Sequence, residues 1–276
     1  MGPQQTEVPK QPIPGVKYLI AVGSGKGGVG KTTVSVNLAI ALASQGLKVG
    51  ILDADVYGPN VPLMMGTREN PHSIGERIQP LSNHGVRLMS MGFLSPGDKP
   101  LVWRGPMLHS VIQQFLRSVD WGELDYLIID LPPGTGDVQI SLMQTAPITG
   151  AIVVTTPSEV SLEDARKAIN MFNQVRVPVL GVVENMSYLI APGSGERIDV
   201  FGMGGGQKMA QTMGVPFLGE LALDPAVRMA GDRGAPIALK GKADEQGKGF
   251  HVLADALQAR VTKSGMPKAP TMTMED

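Results

Sequence analysis

The chain of 276 residues contains no cysteine. Disulfides, thiolate nucleophiles and cysteine-ligated metal sites are excluded together. Histidine is scarce as well: His72, His84, His109 and His251 are dispersed, form no metal motif and read as structural. Long apolar runs are missing, because Gly, Pro or a charge interrupts each stretch before the roughly 18 residues of a membrane span. The N-terminus lacks the apolar segment of a signal peptide. An excess of either charge is also absent: at a formal net charge of −1 no polybasic field draws the chain to nucleic acid or to a membrane surface. The expected address is cytoplasmic, with no nucleic-acid partner. No stable membrane anchor is expected either, since residues 263–276 are short and rich in Pro, Thr and Met.

What is present is enough for a large core. The apolar content of 42% suits one large α/β domain or two small ones. The sixteen methionines are scattered over predicted helices, strands and loops and read as flexible core filler rather than soft-metal ligands. Residues 1–16, with Pro at positions 3, 9, 12 and 14, read as a flexible tail. Thereafter short apolar runs at 17–22, 47–52, 125–130, 151–155, 178–184 and 216–221 alternate with helical spacing at 31–44, 107–119, 162–175 and 243–261. Residues 58–100 are rich in Gly, Pro and turn formers, with short strands expected near 77–81 and 86–91. Alternation of this kind predicts an α/β fold, a mostly parallel doubly wound sheet with helices on both faces. One domain at 17–262 is expected between the tail and a second tail at 263–276.

Between the first strand and the first helix lies Gly25-Lys26-Gly27-Gly28-Val29-Gly30-Lys31-Thr32. A nucleoside triphosphate needs several backbone N–H groups pointing inward with little side-chain bulk, which Gly25, Gly27, Gly28 and Gly30 supply just before a helix N-terminus. Lys31 is expected on the β- and γ-phosphates, and the Thr32 hydroxyl on magnesium. Val29 and Thr33 complete the expected nucleotide contacts. Three carboxylates fall at strand ends, where parallel α/β sheets bind ligands. Asp130 is expected to hold magnesium through a water. Asp53 and Asp55, two residues apart, face the same way if their strand extends that far. Asn185, after another strand, has the donor and acceptor to pair with an adenine edge, a turn-forming role being the alternative.

Lys26 resembles the extra lysine of the deviant P-loop ATPases, the group of MinD, ParA and the nitrogenase iron protein. That resemblance implies a homodimer in which Lys26 reaches the partner's nucleotide, a solvated surface lysine being the alternative. It also implies that Asp55 orients or deprotonates the attacking water, with Asp53 nearer the magnesium, and that Gly134 and Gly136 belong to a switch loop. Longer segments sharpen the likeness: Leu52-Asp53-Ala54-Asp55-Val56-Tyr57-Gly58-Pro59-Asn60-Val61-Pro62, Asp130-Leu131-Pro132-Pro133-Gly134-Thr135-Gly136-Asp137, Glu184-Asn185-Met186-Ser187-Tyr188 and Phe201-Gly202-Met203-Gly204-Gly205-Gly206. Together with the glycine loop they resemble the Mrp/ApbC family of iron-sulfur cluster carrier ATPases over residues 15–262. The resemblance implies ATP and magnesium as cofactors, a homodimer bridged by a [4Fe-4S] cluster, and client apoproteins that receive it.

The sequence departs from that family at one place. Members carry C-x-x-C shortly after the Asn-Met-Ser stretch, one pair from each subunit. Ala191 and Ser194 stand at those positions with the spacing kept. Alanine has no donor atom, and serine is a poor substitute for thiolate. An engineered cysteine-free form and a natural variant both account for this. Without the thiolates, a nucleotide-gated dimeric scaffold with no metal cargo is the first alternative function, and a MinD- or ParA-like positioning ATPase the second.

Overall fold

Leu19 and Ala21 of the first strand pack into one apolar cluster, while Ile20 and Val22, pointing the opposite way, pack into another. Leu127 and Ile129 divide from Tyr126 and Ile128 in the same manner, as do Ala151 and Val153 from Ile152 and Val154. Because side chains alternate across a strand, this division means that both faces of the sheet are covered. The computed structural model describes residues 11–56, 58–94, 105–136, 139–140, 142–143 and 146–263, and of 105–109 the backbone alone.

In chain order the elements are β1 (Val16–Gly23), α1 (Lys31–Ala43), β2 (Val49–Asp53), α2 (Val61–Met64), β3 (Ser73–Ile74), β4 (Arg77–Ile78), β5 (Leu81–Asn83), β6 (Val86–Ser90), α3 (Gly105–Arg117), β7 (Leu124–Asp130), β8 (Gly150–Thr155), α4 (Glu159–Gln174), β9 (Val179–Glu184), β10 (Leu189–Ile190), β11 (Arg197–Ile198), α5 (Gly205–Thr212), β12 (Phe217–Glu220), α6 (Pro225–Asp232) and α7 (Glu245–Lys263). The main sheet has eight strands in the order β12-β9-β8-β1-β7-β2-β6-β5. All its pairs are parallel except β5 with β6, an edge hairpin. Two-residue hairpins favour left-handed backbone at both turn positions, and His84 and Gly85 adopt it with φ of 50° and 77°.

On one face lie Ile112 and Phe115 of α3, Leu162, Ile169 and Phe172 of α4 and Met209 of α5; on the other lie Leu38 and Leu42 of α1 and Phe250 and Leu257 of α7. Burying each such side chain fully stabilises the fold by about 1.5–3 kcal/mol. Helix α1 is buried on nearly every side, from Val34 to Leu42, which explains its near-continuous apolar sequence.

The doubly wound fold read from the sequence is the fold observed. The short elements were less legible: α2, α5, α6 and the hairpins β3–β4 and β10–β11 have too few residues for a periodicity to register. Ile13 and Val16, read as the end of a tail, are buried at 4% and 5% exposure, so packing begins ahead of Lys17. At the other end α7 runs to Lys263. The rest of the two expected tails, 1–10 and 264–276, lies outside the described residues, as do Tyr57 and Asp137 and the side chain of His109.

Strand β1 sits between β7 and β8, and the chain leaves it for β2 on one side while β8 and β9 lie on the other. A crevice therefore opens beyond the C-terminal end of β1, where the direction of strand order reverses. Asp53 of β2 and Asp130 of β7 are paired in register at this edge, and Asp130 also pairs with Val22 of β1.

Candidate functional site

Residues 24–30 carry the chain from the end of β1 to the start of α1 over the sheet edge. The turn is tight enough that side chains are excluded at particular points. A Cβ on Gly25 would lie 2.0 Å from the Asp164 carbonyl oxygen. Gly30 has φ 81°, a left-handed conformation, and a Cβ there would lie 2.2 Å from Asn185 Nδ2. Gly30, at the N-cap of α1, has no side chain to cap the helix, so among the described residues its first-turn N–H groups are left for an anion at the crevice.

A cleft of about 500 Å³ lies over this loop, lined by Lys26, Gly27, Gly28, Val29, Gly30, Lys31, Thr32 and Thr33 and, from across the crevice, by Asp55. An adjoining cavity of about 270 Å³ shares Gly30, Thr33 and Met64 and is closed by Asn185 and Met186. Asn185 is buried and donates from Nδ2 to the Val29 carbonyl at 2.8 Å, which ties the end of β9 to the glycine loop. Gly134, at φ 94°, donates its N–H to the Ser24 carbonyl at 3.0 Å, holding the expected switch loop against the same loop.

Beneath the cleft Asp130 is the point on which the charged groups converge. It is fully buried, accepts from Thr32 Oγ1 at 2.7 Å and pairs with Lys31 Nζ at 2.8 Å, both through Oδ2. Its other oxygen accepts from Ser35 Oγ at 2.7 Å. Lys31 Nζ is also 3.9 Å from Asp55 Oδ2. These are hard oxygen donors around a position already taken by a cation, and they fit a magnesium ion.

Asp53, expected nearer the magnesium, adjoins Asp130 in register and is engaged by three donors. Its oxygens accept from the Asp55 N–H at 3.1 Å, the Val61 N–H at 3.2 Å and Ser90 Oγ at 2.9 Å, and the residue is fully buried. Geometry makes it a clip that fixes Asp55, the start of α2 and the end of β6. Burial, reinforced by the charge of Asp130, pushes its carboxyl up to about 8, against the opposing hydrogen bonds from Ser90 and Asp55 and the charge of Lys31. In the unfolded chain the group titrates near 3.8. The folded form thus holds a proton that the unfolded form has lost between these values, and stability falls as pH rises through that window. Thermal melts of the nucleotide-free protein are expected to show a midpoint that declines from pH 5 to pH 8. Asp53→Asn, which cannot ionise, is expected to lose most of that slope; an unchanged slope in the variant would assign it to other groups.

Ala191 and Ser194 line neither cavity. They lie in the exposed turn between β10 and β11, where the Ala191 N–H donates to the Glu196 carbonyl at 2.8 Å and the Gly195 N–H to the Ala191 carbonyl at 3.0 Å. Arg197 anchors this hairpin. It pairs with Glu220 at 2.9 Å and stacks over Tyr188 at 4.1 Å, and its hydrogen bonds hold the Glu220 carboxyl below its usual range. Ser187 bridges inward, 2.6 Å from Glu184 and 3.0 Å from Glu220. Among the described residues no group of three or more His, Asp or Glu is placed to hold a metal ion, and no helix is long and apolar enough to cross a membrane.

Ser35 and Ser90 escaped the sequence reading. Ser35 lies one helical turn beyond Lys31, a spacing that puts both on one face, so it was accessible to pattern. Ser90 reaches Asp53 only through the pairing of β2 with β6, which no local pattern announces.

Comparison with known proteins agrees with this geometry. A model of the family described as ParA: NUBPL iron-transfer P-loop NTPase matches residues 15–258. The sequence is 52% identical over 260 residues to the iron-sulfur cluster carrier protein of Deinococcus radiodurans, a match covering 94% of this chain and 74% of that protein. It is 48% identical over 261 residues to the mouse iron-sulfur cluster transfer protein NUBPL, covering 93% and 82% respectively. A nucleotide-binding protein of Archaeoglobus fulgidus, solved in complex with ADP, superposes with a TM-score of 0.72 at 41% identity, over 80% of this chain and 87% of that one. The septum site-determining protein MinD of Pyrococcus horikoshii, at 24% identity and a TM-score of 0.68 over 90% and 97%, shares the fold.

Proposed function

Because this chain belongs to the ParA-type family of NUBPL iron-transfer P-loop NTPases, we propose that it binds and hydrolyses ATP with magnesium as a homodimer serving iron-sulfur cluster delivery to client apoproteins. The observation that carries the nucleotide reading is the convergence of Lys31, Thr32 and Asp130 under an uncapped helix N-terminus. Loop N–H groups from Gly25 to Thr33 cradle the phosphates, and Asn185 faces the base. Thr32 and Asp130 hold the magnesium, which supplies charge neutralisation at the phosphates. Lys31 and the partner copy's equivalent of Lys26 stabilise charge that builds on the transferred phosphoryl group. Asp55, held by the Asp53 clip, positions the attacking water. We assign Asp53 to that positioning role rather than to the metal.

Release of phosphate from ATP, with and without magnesium, tests the assignment directly. Lys26 lines the cleft while reading as a group meant for a second copy, so Lys26→Ala separates binding from turnover. It is expected to bind nucleotide within a few-fold of the unaltered chain, to lose dimer formation with a non-hydrolysable ATP analogue in size-exclusion chromatography, and to lower hydrolysis by roughly 10²-fold, the order seen when one charge-stabilising donor is removed. A variant that dimerises and turns over normally would confine Lys26 to the surface role.

Ala191 and Ser194 favour a second reading, a nucleotide-gated scaffold without metal cargo. It predicts client capture in pull-downs that changes between ADP and the ATP analogue in the complete absence of iron. Loss of client binding without iron would remove it.

A further inference from the structure

Two segments run side by side from the base end of the nucleotide site to the hairpin that carries Ala191 and Ser194. We propose that Ser187, Glu220 and Arg197 are positioning residues that join this hairpin to the base cavity, so that bound nucleotide steadies the hairpin and the anchored hairpin in turn strengthens nucleotide binding. The proposal rests on the nucleotide reading above and adds a remote set of residues to it.

The first segment, 184–188, leaves the end of β9, and the second, 220–224, leaves the end of β12. Three backbone bonds lace them together: the Leu221 N–H donates to the Glu184 carbonyl at 2.8 Å, the Ser187 N–H to the Leu221 carbonyl at 2.9 Å and the Leu223 N–H to the Tyr188 carbonyl at 2.7 Å. At one end Asn185, Met186, Leu223 and Asp224 line the cavity of about 270 Å³, and Asn185 is tied to the Val29 carbonyl. At the other end Ser187 Oγ lies 2.6 Å from Glu184 Oε1 and 3.0 Å from Glu220 Oε2. Glu220 then takes Arg197 of β11 through both carboxylate oxygens, at 2.9 Å and 3.2 Å. Ser187, Glu220 and Arg197 themselves line neither cavity.

Between the two ends sits Met186, with φ 53°. A left-handed backbone is unfavourable for a residue that carries a Cβ, so the turn keeps this shape only while bonds on both sides enforce it. Asn185 enforces it toward the glycine loop, and Ser187 toward the hairpin. Releasing either end lets the turn relax, so each end gains when the other is held, which is positive and reciprocal coupling. Glu184, fully buried, stiffens the turn from beneath, because its second oxygen accepts the Gly206 N–H at the start of α5. A Cβ on Gly206 would lie 2.8 Å from that oxygen, which gives the glycine run ending there a structural reason.

Hydrogen exchange read by mass spectrometry follows the hairpin, and calorimetric titration follows ADP. Saturating ADP with magnesium is expected to slow exchange of the 189–198 amides in the unaltered chain by about fivefold, the lower end for coupling between two sites. Pyrophosphate, which suits the phosphate loop but has no base, is expected to leave them unchanged. Glu220→Ala removes the bonds to Ser187 and Arg197 together. It is expected to lose the protection and to bind ADP about fivefold more weakly, although residue 220 lies outside both cavities. Asp199→Ala removes a different partner of Arg197, 2.9 Å away, and is expected to bind ADP as the parent does. Melting curves establish that each variant is folded. Parent-like ADP affinity in Glu220→Ala overturns the proposal, and so does an equal loss of affinity in Asp199→Ala. Parent hairpin exchange that ignores ADP, or that pyrophosphate slows equally, overturns it too, whether or not Glu220→Ala folds. A parent that does not bind ADP would instead remove the nucleotide reading beneath it, and this one with it.

Discussion

Lys31→Ala is expected to abolish ATP hydrolysis within assay sensitivity, a fall of at least ~10²–10³-fold by comparison with the removal of single charge-stabilising groups elsewhere. The phosphate-facing role alone accounts for that loss, but the structure adds a second effect. Lys31 is the cation bonded to fully buried Asp130. Breaking a buried ion pair by deleting one partner typically costs about 3–5 kcal/mol, because the remaining charge is left in a poor solvent. For a domain of this size each kcal/mol moves the melting midpoint by roughly 2–4 °C, so the nucleotide-free variant should melt lower by several degrees. The double variant Lys31→Ala, Asp130→Asn should recover much of that stability while remaining inactive. Measuring hydrolysis and melting together on the three proteins separates the two effects. Turnover close to the parent in Lys31→Ala would overturn the nucleotide site itself, whereas unchanged melting would mean that Asp130 finds another counter-charge.

Ala191→Cys combined with Ser194→Cys is expected to turn a chain that retains no cluster into one that does. On anaerobic reconstitution with iron and sulfide, the parent should desalt to a colourless protein. The double variant should keep a broad visible absorbance with iron and sulfide near four of each per dimer, as a [4Fe-4S] cluster with two thiolates from each copy requires. The hairpin can accept the change because its shape is set by the backbone. The Ala191 and Gly195 N–H bonds, and the left-handed Gly193 and Gly195 with φ of 90° and 72°, do not involve the side chains at 191 and 194. Only a bond of 3.3 Å from the Glu196 N–H to Ser194 Oγ is lost. Each single variant offers two thiolates per dimer and should hold no stable cluster. A cluster of equal content on the parent would mean that other ligands serve, and a colourless double variant would mean that the hairpins do not meet.

These two sites differ in how openly the sequence displayed them. The glycine loop was legible almost whole, because its chemistry depends on residue types in a short contiguous run. Asp130 was legible as a carboxylate closing an apolar strand, and Asn185 as an amide after a strand end, with the donor and acceptor to meet an adenine edge. What escaped were relations between distant segments. The resemblance implied Asp53 as the carboxylate nearer the magnesium, and nothing local announced its bonds to the Val61 N–H and Ser90 Oγ, both of which arrive from elements whose position depends on the sheet. The network of Arg197, Glu220, Ser187 and Glu184 stayed hidden likewise, since it joins a two-residue strand to the edge of the main sheet.

By itself the sequence determined that this protein has a phosphate loop, carboxylates at the ends of parallel strands, and no thiolate with which to grip iron. Each of these follows from which atoms a side chain carries and from local spacing, which folding does not alter. Only the tertiary structure decided that Lys31 rests on Asp130 and that Asp53 accepts from the Asp55 N–H. Those choices depend on strand register, which sets Asp53 and Asp130 side by side while burial and a single nearby ammonium divide the charge between them.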